Sequence, residues 1–80
     1  MQVRAFARLR ELLDAGAFEL ELPAGATLVT LWEALRARNR AIDALAASTR
    51  MARNGRVAAL LNVVLADGDE IVLLPPVGGG

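Results

Sequence analysis

The chain has 80 residues, enough for one small domain. Its nine basic and nine acidic residues balance, which argues against a nucleic-acid binder that relies on neutralising phosphates. Neither Cys nor His is present, which excludes a thiolate nucleophile, a disulfide and the side chain that most readily acts as a general base near neutral pH. We therefore expect a protein that does not carry out chemistry alone.

The basic residues and the apolar runs bear on partners and location. All nine basic residues are Arg, so no Lys side chain is available to accept an isopeptide bond. No apolar stretch approaches the length of a membrane span. The N-terminus lacks the basic-then-apolar pattern of a signal peptide. We expect a cytoplasmic protein whose partners include neither nucleic acid nor membrane.

The first quarter of the chain predicts two strands separated by a short helix. Residues 2–8 predict a strand whose faces carry Val3, Ala5 and Ala7 on one side and Arg4, Phe6 and Arg8 on the other. Residues 9–14 predict one or two helical turns that end near Gly16. Residues 18–22 alternate apolar and acidic side chains, as a half-buried antiparallel strand does. Residues 23–25 end that strand.

The middle of the chain predicts the main helix. Thr27 is suited to cap it, because its hydroxyl can accept a free backbone N–H of the first turn. The apolar stripe that follows has the spacing i, i+3, i+4, i+7 and is expected to pack on a sheet; its members are Leu28, Leu31, Trp32 and Leu35. The helix is predicted to end around residues 38–40. Residues 41–48 predict a further short helix, anchored by Ile42 and Leu45.

The last third of the chain predicts a hairpin and a final strand. Asn54-Gly55 indicates a type I′ turn between strands at 50–53 and 56–59, because both residues accept a positive φ. Residues 60–65 are apolar without a clear period, and their structure is left open. Residues 66–69 predict a tight turn with Gly68 in the left-handed conformation. Residues 70–74 are apolar on both faces, as in a central strand.

The order of these elements predicts an α+β fold. Strand, strand, helix, hairpin and strand, with apolar first and last strands, favour a β-grasp (ubiquitin-like) architecture. It would have a mixed sheet of four to five strands with one main helix on one face. The domain would occupy residues 1–75, and residues 76–80 would form a C-terminal functional tail.

The ending Pro75-Pro76-Val77-Gly78-Gly79-Gly80 suggests a segment that reaches into another protein. Glycine has no Cβ and fits where no other residue can, and each proline has its φ already fixed, so less freedom is lost on docking. Residues 76–80 span roughly 17 Å when extended, at about 3.3 Å per residue. The working atom would then be the terminal carboxylate. The alternative is a frayed end or a linker, since termini are usually disordered.

Several segments together resemble the small, sulfur-carrying subunit of molybdopterin synthase. The resemblance rests on residues 6–12, 22–27 and 31–35, on the Asn-Gly hairpin and on residues 65–80. The ending is its specific part, because that family typically closes with Pro-Pro-Val, one small residue and two glycines. Residues 41–53 and 58–64 depart most from the family pattern.

The resemblance implies a sulfur carrier. In that family an adenylating enzyme of the ubiquitin-activating kind uses ATP to convert the terminal carboxylate, here of Gly80, into an acyl-adenylate. Sulfur from a donor protein then replaces the adenylate and gives a thiocarboxylate. The tail, with Gly79 and Gly80 as its catalytic residues, enters the large subunit of a heterotetrameric synthase and delivers sulfur to cyclic pyranopterin monophosphate. The catalytic side chains are expected on the large subunit, and no cofactor is expected on this chain.

An apolar surface beside the tail is the candidate contact with the large subunit. Phe6, Val72 and Leu74 are predicted to point away from the helix beside Arg4 and Arg8, and an exposed apolar patch rimmed by charge indicates a partner interface. The alternative is that the final strand is merely buried, with its faces exchanged by a shift of one residue. The candidate partner-binding residues, tail included, are Phe6, Val72, Leu74, Pro75, Pro76, Val77 and Gly78.

Other functions remain open at this stage. One is another ubiquitin-like sulfur carrier, such as the thiamine thiazole type, or a protein modifier. A second is a β-grasp binding module without tail chemistry. A metal site at Asp67, Asp69 and Glu70 is not expected, because turn chemistry and exposure to solvent explain these residues and the remaining ligands of a Ca²⁺ loop are missing.

Overall fold

The computed structural model describes residues 1–75. Along the chain it has β1 (Gln2–Ala5), α1 (Ala7–Leu13), β2 (Ala17–Glu19), α2 (Leu28–Arg38), a 3-10 helix (Arg40–Ser48), β3 (Arg50–Arg53), β4 (Arg56–Val57) and β5 (Glu70–Leu74). Within these residues, every helix is too short or too polar to cross a membrane.

The sheet has five strands in the order β2-β1-β5-β3-β4. The central strand is β5, which pairs in parallel with β1, the first strand, whereas every other pair of strands in the described residues is antiparallel. This confirms the predicted β-grasp topology. The central position of β5 follows from its apolar residues, because a strand with neighbours on both sides has little contact with water.

The core lies between α2 and one face of the sheet. Its buried members are Val3, Ala5, Leu9, Leu13, Leu28, Leu31, Leu35, Ile42, Met51, Leu65, Ile71 and Leu73. The predicted helix stripe is confirmed except for Trp32, which is only half-buried. Its indole N–H donates a hydrogen bond to the Asp43 carboxylate at 3.2 Å. Trp32 lies at the edge of the stripe, where its indole N–H has the hydrogen-bond partner that a buried indole needs.

The junction between β1 and α1 differs from the prediction. The strand ends at Ala5, and Ala7 and Arg8 belong to α1 instead of to the two faces of a strand that continues to residue 8. The helix begins early because Leu9 and Leu13, four residues apart, are both buried in the core. Ala7 makes the turn at a φ of +52°, a conformation uncommon for a residue with a Cβ.

The caps of α2 connect it to its neighbours. Thr27 forms a capping box with Thr30, in which each side chain accepts a hydrogen bond from the other's backbone N–H, and this confirms the predicted N-cap. At the other end, the Asn39 side chain accepts from the Ala41 N–H at 2.9 Å and donates to the Leu12 carbonyl at 3.0 Å. Asn39 therefore ends α2, starts the 3-10 helix and holds both against α1.

The hairpin and the turns adopt the predicted conformations, but two strands are shorter. Asn54 and Gly55 have φ values of +50° and +87°, and Gly68 has +85°. β2 covers 17–19 instead of 18–22, although the alternation of exposure continues as far as Leu22. β4 covers 56–57 instead of 56–59, because the chain then leaves the sheet for the start of α2, where the Leu61 carbonyl accepts from the Val29 N–H.

Candidate functional site

The tail begins at the end of the central strand of the sheet. β5 is paired with β1 from Glu70 to Leu73 and with β3 from Ile71 to Leu74. Ile71 and Leu73 are fully buried, so the base of the tail is held by two strands and by the core. The predicted site residues Pro76, Val77, Gly78, Gly79 and Gly80 lie outside the described residues.

The face of the sheet opposite α2 carries the predicted apolar side chains of β5. Val72 and Leu74 are half-buried and alternate with the buried Ile71 and Leu73, so they face away from the core, as predicted. Cross-strand partners share a face. The partner of Val72 on β1 is Arg4, and the partner of Leu74 on β3 is Arg50.

Charged side chains therefore flank this apolar strip. Arg4 Nε lies 3.6 Å from the Glu70 carboxylate in an exposed ion pair. Arg50 is exposed on the other side of β5. Arg8, predicted to complete the rim, lies instead on α1.

Phe6 lies next to the start of the tail and lines a cavity with Pro75. The Phe6 side chain is 44% exposed, although it is large and apolar. The cavity measures about 250 Å³ and is lined by Phe6, Ala7, Arg8, Leu9, Leu45, Thr49 and Pro75. A dry cavity of ~150 Å³ already holds benzene, so this one can hold a large apolar side chain of a partner.

Sequence reasoning missed two cavity-lining residues that lie in or next to the 3-10 helix. Leu45 was predicted only as a core anchor, and Thr49 was not singled out. Both lie at the end of the 3-10 helix, where the Thr49 hydroxyl donates to the Leu45 carbonyl at 2.7 Å. The local sequence could not reveal them, because their approach to Phe6 and Pro75 depends on how the 3-10 helix packs against α1.

A buried carboxylate fastens the start of β5. Asp69 is 7% exposed, and its carboxylate accepts hydrogen bonds from Arg53 Nε at 2.8 Å, Asn54 Nδ2 at 2.9 Å and the Ala66 N–H at 2.8 Å. The Ala66 N–H, followed by the Asn54 and Arg53 side chains, holds the pKa of Asp69 below its usual value, against the opposing effect of burial. The prediction of Asp69 as a mere turn residue was therefore incomplete.

The hairpin is bonded to the same strand. The Asn54 side chain accepts from the Glu70 N–H at 2.8 Å, and the Asn54 N–H donates to the Glu70 carbonyl at 2.8 Å. The Asp69 network and these two bonds join the β3–β4 hairpin, the 66–69 turn and β5. The network thus fixes the end of β5 that lies away from the tail.

Within residues 1–75, the site offers an apolar surface for contact with another molecule. The polar residues that line the cavity within residues 1–75 are Arg8 and Thr49. Across the same residues, no group of three or more acidic side chains is placed to hold a metal ion. The described part of the molecule can therefore present an apolar surface to a partner beside Pro75.

These features define a class of protein: a ubiquitin-like β-grasp domain whose central last strand leads into a glycine-ended C-terminal segment. The ThiS family matches this sequence over residues 3–80. The chain belongs to the ThiS family, whose members are ubiquitin-like sulfur carriers. No curated protein sequence matches it.

Several solved structures resemble the chain. Molybdopterin converting factor subunit 1 from Pyrococcus furiosus is 32% identical with a TM-score of 0.85, over 95% of each chain. Small archaeal modifier protein 1 from Haloferax volcanii is 29% identical with a TM-score of 0.84, over 99% of this chain and 97% of the other. A complex of subunits 1 and 2 of the molybdopterin-converting factor from Helicobacter pylori contains a chain that is 29% identical with a TM-score of 0.69, over 99% of this chain and 96% of the other.

Proposed function

We propose that this protein is the sulfur carrier subunit of a molybdopterin synthase. Its Gly80 carboxylate is adenylated by a ubiquitin-activating-type enzyme at the expense of ATP, and sulfur from a donor protein displaces the adenylate to leave a thiocarboxylate. The large subunit then uses this sulfur on cyclic pyranopterin monophosphate to build molybdopterin. The ThiS family match through residue 80, which includes the Pro-Pro-Val-Gly-Gly-Gly ending, is the observation that carries the proposal.

The described residues provide the surface on which the large subunit docks. Phe6, Val72, Leu74 and Pro75 surround the base of the tail with apolar surface, and the large subunit covers them in the complex. The cavity between Phe6 and Pro75 receives an apolar side chain of that subunit. Contact at this point aligns the tail before it enters, so less conformational freedom is lost when the segment threads.

The tail provides the group that takes part in the reaction. Pro76, Val77 and Gly78 pass through the entrance of the large subunit, and Gly79 and Gly80 reach its catalytic side chains. A carboxylate is a poor electrophile until ATP activates it. Because partner proteins provide both the activation and the sulfur, the chain can carry sulfur without a Cys or His of its own. No cofactor is needed on this chain. The similarity to a chain in the two-subunit complex from Helicobacter pylori supports this assembly.

A second candidate function is protein modification. The similarity to small archaeal modifier protein 1 favours it, with a TM-score of 0.84. In that case the activated Gly80 is transferred to an amine of a target protein instead of to sulfur. Because this chain contains no Lys, its own side chains offer no acceptor amine.

Intact mass spectrometry tests the proposal. The chain is incubated with an adenylating enzyme, ATP and a sulfur source, and we expect the mass change that replaces one carboxylate oxygen by sulfur. Addition of the large subunit and cyclic pyranopterin monophosphate should then yield molybdopterin and regenerate the carboxylate. Adducts on target proteins, with no molybdopterin, would favour the modifier function instead.

A glycine variant makes the test specific to the tail. Gly79→Ala adds a methyl group to the end of the tail, which has to thread through the entrance to reach the catalytic side chains, and we expect molybdopterin formation to fall at least ~10-fold, which corresponds to about 1.4 kcal/mol. Gly16→Ala is the matched control, because the added Cβ meets only the flexible Arg10 side chain, at 3.1 Å. Normal turnover by Gly79→Ala would contradict the proposed threading.

A further inference from the structure

Arg50 stands beside the base of the tail. It is the first residue of β3 and the cross-strand partner of Leu74, the last residue of β5. Cross-strand partners share a face, so the exposed Arg50 side chain lies next to Leu74 on the face of the sheet opposite α2, which we refer to as the open face. A positive charge therefore lies at the point where the open face meets the start of the tail.

The other two arginines near this point have acidic partners within the molecule. Arg4 Nε lies 3.6 Å from the Glu70 carboxylate, and Arg8 Nη1 lies 3.4 Å from the Glu11 carboxylate. None of the ion pairs in the described part of the chain includes Arg50. Residues 44–66 contain no Asp or Glu, so β3 and β4 bring no acidic side chain of their own to the open face.

The charge on the open face changes along the direction of the strands. Gln2 is in register with Glu19 on one side and with Glu70 on the other, so both acidic side chains lie at the end of the sheet away from the tail. Four residue steps along β5 separate Glu70 from Leu74, about 13 Å at about 3.3 Å per residue, which exceeds the Debye length of about 8 Å at physiological salt. The charge of Arg50 at the tail end is therefore not neutralised from the far end of the sheet.

We propose that Arg50 is a specificity-determining residue that binds a carboxylate of the large subunit beside the entrance for the tail. This inference rests on the proposed function and adds the chemistry of the partner surface, an apolar strip over Val72 and Leu74 with an acidic side chain at its edge. A guanidinium matches a carboxylate through two parallel N–H···O hydrogen bonds.

The same contact fixes the direction in which the partner lies on the sheet. An acidic side chain of the partner is attracted to Arg50 at the tail end of the open face. Were the partner turned around, that side chain would approach Glu19 and Glu70, and like charges placed together oppose binding. The charge order along the open face therefore favours the orientation in which the entrance faces the tail.

A charge reversal at Arg50 tests the contact. In surface plasmon resonance with purified large subunit, Arg50→Glu places a carboxylate against a carboxylate and should weaken binding at least ~10-fold at ~0.05 M salt, mainly through a slower association rate. The loss should shrink at ~0.5 M salt, because screening shortens the reach of charge. Arg50→Lys restores the positive charge and should recover most of the association rate.

Arg56→Glu is the matched control. Arg56 is also exposed and lies on the same hairpin, but its register partner Arg53 shares a face with the buried Ile71, so Arg56 points to the other side of the sheet. The two Glu variants have the same net charge, so a difference between them reports where the charge lies. We expect Arg56→Glu to bind as the wild type does. Equal weakening by both variants, or undiminished binding by Arg50→Glu, would overturn the proposal.

The wild type separates failure of this inference from failure of the proposed function. If the wild type binds the large subunit and yields molybdopterin while the two Glu variants behave alike, only the Arg50 contact is refuted. If the wild type yields no molybdopterin, the proposed function itself fails. Circular dichroism should stay native in both variants, because neither Arg50 nor Arg56 takes part in an ion pair within residues 1–75.

Discussion

Replacement of Asp69 by Ala tests the idea that a buried carboxylate secures the strand that carries the tail. The variant removes three hydrogen bonds, from Arg53, Asn54 and the Ala66 N–H, at 2.8–2.9 Å. Hydrogen bonds to a charged group contribute about 1.5–3 kcal/mol each, but three on one carboxylate are not additive. The Arg53 side chain is 32% exposed and regains water when its partner is lost, which reduces the cost.

We therefore expect Asp69→Ala to lower the free energy of unfolding by about 2–4 kcal/mol. At 0.05–0.15 kcal/mol per residue, a domain of this size has a total stability of roughly 4–12 kcal/mol. The loss is thus a large fraction of the total. In a domain of this length each kcal/mol moves the thermal midpoint by about 4–8 °C, so a fall of about 8–32 °C is expected.

Urea unfolding followed by the fluorescence of Trp32, the only tryptophan, measures this change. Asp67→Ala is the matched control, because Asp67 is an exposed aspartate of the same turn. We expect the control to change the stability by no more than about 0.5 kcal/mol. The reasoning is refuted if the two alanine variants unfold at the same urea concentration.

The pH dependence of stability provides a second readout of the same carboxylate. Its pKa in the folded protein lies below the ordinary value of 3.8, so its charge stabilises the fold above that value and the contribution is lost as the pH falls through the folded pKa. The stability difference between the wild type and Asp69→Asn should be constant above about pH 5 and shrink below pH 3.8. A difference that does not depend on pH down to acid unfolding would show that the charge contributes nothing.

Three further substitutions test the site and the fold. Phe6→Asp should abolish binding of the large subunit in calorimetry while the circular dichroism of the free chain stays native, because Phe6 is 44% exposed; an unfolded variant would show that Phe6 is structural. Thr27→Ala removes the N-cap of α2 and should cost about 1 kcal/mol in urea unfolding, and an unchanged midpoint would contradict the capping role. In Gly68→Ala the added Cβ has no atom within 4 Å, but the alanine must adopt a φ of +85°, so the free energy of unfolding should fall by about 1–2 kcal/mol through the backbone alone. Gly16→Ala, the control, should leave the stability nearly unchanged.

Local rules made the main elements and the fold class predictable from the sequence. The spacing of Leu28, Leu31 and Leu35 defines one helix face, and period-two alternation defines β5, because side-chain direction follows directly from backbone geometry. Asn54-Gly55 predicts a type I′ turn, because both residues accept a positive φ. The proposed role of the glycine-ended tail also rests on the sequence alone, because it follows from the residue types and their order.

Only the tertiary structure decided where contacts between distant residues override local preference. β1 ends at Ala5 because Leu9 and Leu13 are drawn into the core. The cavity beside Phe6 and Pro75 forms only where the 3-10 helix packs on α1. Asp69 becomes a buried anchor because its side-chain partners come from a hairpin 15 and 16 residues earlier in the chain, and no local pattern encodes that approach.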